Sequence, residues 1–376
     1  MKQLPLALSV TIAFATGLVA LTAQAPQQAA RPKPNVRYAA DRAGESVVLS
    51  DAATATKVSI LPSLGNIAYE MSVHGHNVLR NPHATVEAFK ARPNTVGIPF
   101  MGPWANRLDE QAFYANGKRY PFDMALGNVR GQIPIHGFVT TTDKWQVVEV
   151  TATAAEAFVT SRLEFSKQPD WMKQWPFAHT VEMTYRLKDG VLEVATAVTN
   201  LSAEPMPLGI GYHPHFQLTD STRDEWTISV PAKKRWLLSP QKLPTGETEP
   251  IEKFFPDPAN AAVKDYDLDD VFSDLTRDAQ GRATMTLEGK AQKLDVVFGP
   301  NWKVGVIWAP RPPAGQERNF VCFEPMAGIT NAINMAHKGT YSELQVVAPG
   351  ATWRESWWVK PSGFTASAPA PARAVR

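Results

Sequence analysis

The chain has 376 residues, 44% of them hydrophobic and 20% charged, with a formal net charge of +2. This is ordinary globular usage, and with no clustered basic face it gives no electrostatic reason to expect nucleic acid or an anionic membrane as partner. The 31 prolines, the 11 tryptophans and a scarcity of helical periodicity point to an all-β protein with many turns.

The N-terminus has a recognisable order. Lys2 precedes an uncharged, mostly apolar run over residues 4–21, followed by Ala23-Gln24-Ala25. This is the layout of a secretory signal peptide, predicted over residues 1–25, and it implies a periplasmic or secreted product. An uncleaved membrane anchor is the weaker reading, because Thr11, Thr16 and Gly17 dilute the run. Cys322 is the single cysteine, so no intrachain disulfide forms even after export. Residues 26–36, rich in Pro, Gln and Ala, read as a linker, and residues 362–376 as a disordered tail. Residues 37–361 between them form one expected domain, a large antiparallel β-sandwich with few short helices.

Strand patterns run through that domain. From Val181 to Leu187 every odd position is apolar, and after Asp189-Gly190 the residues Leu192, Val194 and Val198 continue one face, with Thr196 interrupting. Period two on both sides of Asp-Gly predicts a hairpin. Asn116-Gly117 predicts a second and Glu288-Gly289-Lys290 a third. A short helix is expected around Asp267 to Asp274. The segment from Gln168 to Pro176, with Trp171 and Trp175, reads as an extended loop placed to cover or lengthen a cleft.

Five polar clusters in apolar settings carry the chemistry. In Gly211-Tyr212-His213-Pro214-His215-Phe216 an imidazole stands before a proline, which ends sheet pairing and presents His213 at the mouth of a strand. Trp104-Ala105-Asn106-Arg107 combines an aromatic surface with an amide and a forked donor. A sugar, with apolar CH faces and a ring of hydroxyls, calls for that combination. Arg107 serves equally well as a structural partner of a carboxylate. His136 lies beside Gly137, whose missing side chain permits close approach of ligand or backbone. Asp269-Asp270 offers hydroxyl acceptors or a helix cap. In Val321-Cys322-Phe323-Glu324-Pro325 alternation puts Cys322 and Glu324 on one face. Burial there raises a carboxyl pKa, as a general base requires, unless a cation pairs with it.

Taken in order, these clusters resemble the motifs of the aldose 1-epimerases (galactose mutarotases), over most of residues 37–361. The similar segments are Asn106-Arg107, Ile135-His136-Gly137, His213 with Phe216, Asp269 with Phe272, and Glu324-Pro325 followed by Asn331-Ala332. The resemblance implies interconversion of α and β anomers of a free aldose, with no cofactor or metal. It implies Glu324 as the base on the C1 hydroxyl and His213 as the acid on the ring oxygen. Asn106, Arg107, His136 and Asp269 would hold the sugar. Mutual attraction of the two charges is expected to keep Glu324 ionised and His213 protonated. Phe138 and His215 depart from the family pattern, which bears on which sugar is bound.

Other readings stay open at this point. A carbohydrate-binding or sensing protein would keep the cleft without turnover, though it has no need of both His213 and Glu324. Lys233-Lys234-Arg235 offers a phosphate clamp or a solvated face. His74-x-His76 and His213-x-His215 offer paired metal ligands, disfavoured by the turn at Gly75 and by Pro214.

Overall fold

The Asp189-Gly190 hairpin organises the largest sheet of the computed structural model, which describes residues 36–125, 129–316 and 318–366. The predicted signal peptide, residues 26–35 of the linker and residues 367–376 of the tail lie outside the described residues. The strands His179–Lys188 and Val191–Asn200 pair in register from His179 with Asn200 to Lys188 with Val191. Asp189 and Gly190 both have positive φ, the geometry of a tight hairpin turn. Val181, Met183, Tyr185 and Leu187 face inward, opposite Val198, Thr196, Val194 and Leu192. Thr196 does not break the face as its polarity suggested. It is buried, and its hydroxyl shares a 2.6 Å hydrogen bond with the Tyr212 hydroxyl.

That hairpin sits within a nine-stranded antiparallel sheet, which the final strand, Thr352–Ser362, enters at its centre. The last strand reaches one residue into the expected tail, and Phe364 beyond it is buried in the core. A five-stranded sheet runs through consecutive strands from Tyr38 to Asn77. An eight-stranded sheet contains Ala232–Leu238, Leu268–Leu275, Val304–Ala309 and Val321–Met326 as neighbours. Inner-face residues of all three sheets, such as Val58, Met183, Ile307 and Phe323, belong to one hydrophobic cluster. Non-polar area removed from water holds this body together, the lone thiol being buried and unpaired.

The Asn116-Gly117 hairpin joins Ala112–Ala115 to Lys118–Pro121, and the third hairpin joins Ala283–Glu288 to Lys293–Phe298 through a four-residue loop. Among the described residues there are three α-helices, each of six residues: Val86–Ala91, Pro169–Gln174 and Ala332–His337.

Two expectations are corrected. Residues Asp267 to Asp274 do not form a helix; Leu268–Leu275 is a central strand. Its acidic pair is tolerated because each carboxylate meets an arginine from elsewhere, Asp269 with Arg107 and Asp270 with Arg235. The segment from Gln168 to Pro176 is no open loop, since Pro169–Gln174 is helical. Trp175 is buried and stacks on Phe113 at 4.2 Å. A ring committed to the core cannot cover a cleft.

Candidate active site

One face of the eight-stranded sheet belongs to the main core. The opposite face carries the polar residues of the motifs, and strand register shows why they meet. Asp269 pairs with Trp308, Trp308 with Cys322 and Cys322 with His215, forming a row of side chains across four strands. In the next row Val271 pairs with Val306 and Val306 with Glu324. Gly211 pairs with Met326 and His215 with Cys322, so the same antiparallel register sets His213 opposite Glu324. The ladder breaks at His213-Pro214 and resumes at His215–Phe216, rather than ending there as the sequence suggested. His213 Nε2 lies 3.2 Å from Glu324 Oε1, with the side chains 8% and 1% exposed.

Loops bring the remaining groups. Asn106 and His136 both have positive φ, and the His136 amide donates to the Asn106 carbonyl at 3.0 Å. Gly137 is required where it stands. A β-carbon there would lie 1.9 Å from the Gly102 carbonyl oxygen, so the close approach is to backbone. Asn106 Nδ2 donates to Glu324 Oε2 at 3.3 Å, and Arg107 Nη2 donates to Asp269 Oδ2 at 3.0 Å. The His136 ring meets His213 edge-on, with centroids 5.4 Å apart. All six expected residues, Asn106, Arg107, His136, His213, Asp269 and Glu324, therefore converge.

Burial decides the electrostatics, against the expectation of mutual stabilisation by opposite charges. The Glu324 carboxyl is pushed well above its ordinary value by burial and then by the Asp269 charge, with Asn106 and Arg107 opposing. Stripping water from a carboxylate costs several kcal/mol, whereas one amide hydrogen bond returns roughly 1–2, so burial wins. His213 falls to about 4, again mainly through burial, and His136 falls well below the usual imidazole range. Both shifts favour the uncharged forms, carboxylic acid and neutral imidazole, over an ion pair. Nδ1 of both His136 and His213 is buried without a hydrogen-bond partner among the described residues.

Trp308 is the residue that sequence reading missed. It is half-buried in the middle of the row, with ring centroids 5.4 Å from His213 and 5.6 Å from His215. Trp104, expected to be the aromatic sugar surface, is instead buried against Phe122 and Phe138. Phe138 turns to that cluster rather than into the site. Phe272 is likewise core, on the sheet face opposite Asp269.

His213, His215 and Cys322 bring ligand atoms within 4.8 Å of one another. The two imidazole planes are stacked at 16°, however, and in-plane lone pairs of nearly parallel rings do not converge on one ion. His74 lies in a turn, and His76 bonds Thr219 and the Thr365 carbonyl. Arg235 is committed to Asp270 and Glu249, and Lys234 lies near Asp274, so two of the three cations of this run stand beside carboxylates.

This site rides on a galactose mutarotase-like β-sandwich. A galactose mutarotase-like protein from Clostridium acetobutylicum superposes with a TM-score of 0.74 at 24% identity, over 87% of this chain and 98% of its own. A galactose 1-epimerase from Lactobacillus acidophilus gives 0.68 at 14% identity, over 87% and 98%.

At the level of sequence, residues 56–360 match the family model for aldose 1-epimerase, and the chain belongs to that family. Two Escherichia coli K12 proteins described as uncharacterised also match. YihR is 26% identical over 159 residues (41% of this chain, 48% of YihR), and YphB is 28% identical over 176 residues (46% and 57%). The chain thus spans about half the length of the curated relatives it matches.

Proposed function

We propose that the protein interconverts the α and β anomers of a free aldose by acid–base ring opening and reclosure. Membership of the aldose 1-epimerase family supports sugar anomer interconversion in general. The observation that carries the specific reading is the buried contact of 3.2 Å between His213 Nε2 and Glu324 Oε1.

A mutarotase must remove a proton from the C1 hydroxyl and deliver one to the ring oxygen, and the reverse reaction exchanges the two roles. A pair holding one proton suits this need, because it begins and ends each half-reaction with the same count. Passing the resting proton from Glu324 to His213 produces a carboxylate base and an imidazolium acid. Glu324 then takes the C1 hydroxyl proton while His213 protonates the ring oxygen. The C1–O5 bond breaks, the aldehyde rotates about C1–C2, and closure from the other face returns both protons. Asn106 steadies the carboxylate, Arg107 and Asp269 form a donor–acceptor fork for adjacent hydroxyls, and the His136 ring, edge-on to His213, helps to hold the sugar.

Anomer exchange measured by NMR over a panel of free aldoses tests this reading, with the spontaneous rate subtracted. Glu324→Gln keeps the side-chain shape and removes the base, so turnover falls by roughly 10²–10⁴-fold. Near-wild-type exchange in that variant would falsify the assignment.

A further inference from the structure

The row that begins at Asp269 and passes through Trp308 does not end at the imidazoles. Phe320 packs on Trp308 with centroids 5.1 Å apart and on His215 at 5.3 Å, and the Arg80 guanidinium lies 5.0 Å over the Phe320 ring. The Arg80 backbone is fixed to the same place, its amide donating to the His215 carbonyl at 2.9 Å. Arg80 thus caps the aromatic floor at the end away from Arg107 and Asp269, with Phe320 between it and Trp308.

Among the described residues its charge has no acidic partner. Arg107 is neutralised by Asp269, and Arg235 by Asp270 and Glu249. Among the described residues the half-buried Arg80 side chain makes no ion pair or hydrogen bond. Stacking uses the flat face of a guanidinium and leaves its in-plane N–H fork free. The field of Arg80 reaches inward to His215 and Cys322, and the exposed Arg130 acts similarly on His136 and His213. A neutral sugar needs neither of these cations. A bidentate donor held on an aromatic floor matches a carboxylate or phosphate.

We propose that Arg80 is a specificity-determining residue that engages an anionic group at the end of the sugar remote from C1. The preferred substrate is then an acidic aldose, either a hexuronate or a hexose phosphate. The inference rests on the mutarotase reading above and deepens it.

The test uses purified protein, with anomer exchange of glucose, glucuronate and glucose 6-phosphate followed by NMR at two ionic strengths. In the wild type kcat/KM for one of the two acidic sugars exceeds that for glucose by about tenfold or more, and the advantage shrinks with salt. Which acidic sugar wins distinguishes carboxylate from phosphate. Arg80→Ala lowers the acidic-to-neutral ratio by roughly 10- to 100-fold, and Arg80→Lys, which keeps charge without the fork, restores part of it. A ratio unchanged by Arg80→Ala, or a wild type that prefers glucose, overturns the proposal while leaving anomer exchange in place. No exchange on any sugar points instead to failure of the catalytic reading. Calorimetric binding of the acidic sugar, lost in Arg80→Ala, then still supports the assignment of Arg80, and its persistence in that variant overturns it.

Discussion

His213 and Glu324 face each other across 3.2 Å, and burial drives their proton affinities in opposite directions, the imidazole down and the carboxyl up. Both shifts favour a pair that holds its proton as uncharged groups over an ion pair. Activity should hold through neutrality and fall on the acid side only as a second proton arrives, with an apparent midpoint near 4 set by His213. The alkaline limb reports loss of the remaining proton, governed by Glu324. This reverses the limb assignment that opposite-charge attraction alone would give. An acid limb centred near 6.5, the ordinary imidazole value, would show that burial does not control His213.

The same shifts enter stability. Glu324 binds its proton more tightly folded than unfolded, so its contribution is full below its ordinary 4.5 and is lost as pH rises through the folded value. Glu324→Gln removes that penalty. Its Tm should gain on the wild type as pH rises from 5 towards 8. His213 has the opposite sign: its contribution is lost as pH falls from 6.5 through about 4, so His213→Asn should gain on the wild type in acid. Parallel Tm curves for wild type and variants would contradict both assignments.

Arg107 combines binding with structure. Its side chain is 7% exposed and that of Asp269 19%, so Arg107→Ala strands a carboxylate near Glu324. The variant should weaken sugar binding and also lose about 2 kcal/mol of stability. Adding Asp269→Asn should recover most of the stability and none of the binding. Denaturant unfolding of the four proteins in this cycle measures the coupling, and additive losses would show that the pair does not interact.

Trp308 should report the sugar directly. Placed beside His213 and half-buried, it offers a ring face to the apolar side of the substrate. Trp308→Ala should raise KM by about tenfold with a smaller change in kcat, and Trp308→Phe should recover part of the loss. If Trp308→Ala keeps the KM of the wild type, another surface supports the ring.

Export is the remaining proposal, resting on the apolar run over residues 4–21 and on Ala23-Gln24-Ala25. Intact-mass measurement of protein from the host envelope should find a chain lacking about the first 25 residues. Full-length protein confined to the cytosol would end this idea.

Alternation made much of the fold legible. Val181 to Leu187 declared its inward face, and Asp189-Gly190 its turn. The six polar site residues could be picked out because each stands where a charge or amide is costly. What the sequence hid depends on distant partners. Asp269-Asp270 looked like a helix cap because the arginines that allow two acids in a central strand are 162 and 35 positions away. Trp308 looked like one more apolar strand residue, since its exposure depends on register with Asp269 and Cys322. Trp104 was misread for the converse reason, its neighbours Phe122, Phe138 and Trp175 being far apart in the chain. The proton affinities of His213 and Glu324 follow from how much water is excluded, which no local motif encodes.

Glu324 stands within a continuous strand, whereas His213 faces it from the break between two short strands, its amide donating to the Pro99 carbonyl. Asn106, Arg107 and His136 come from turns, not from the strand that carries Glu324. The base and these holding groups thus stand on different elements. Substitutions in the turns can change which sugar is held without altering the strand that carries Glu324.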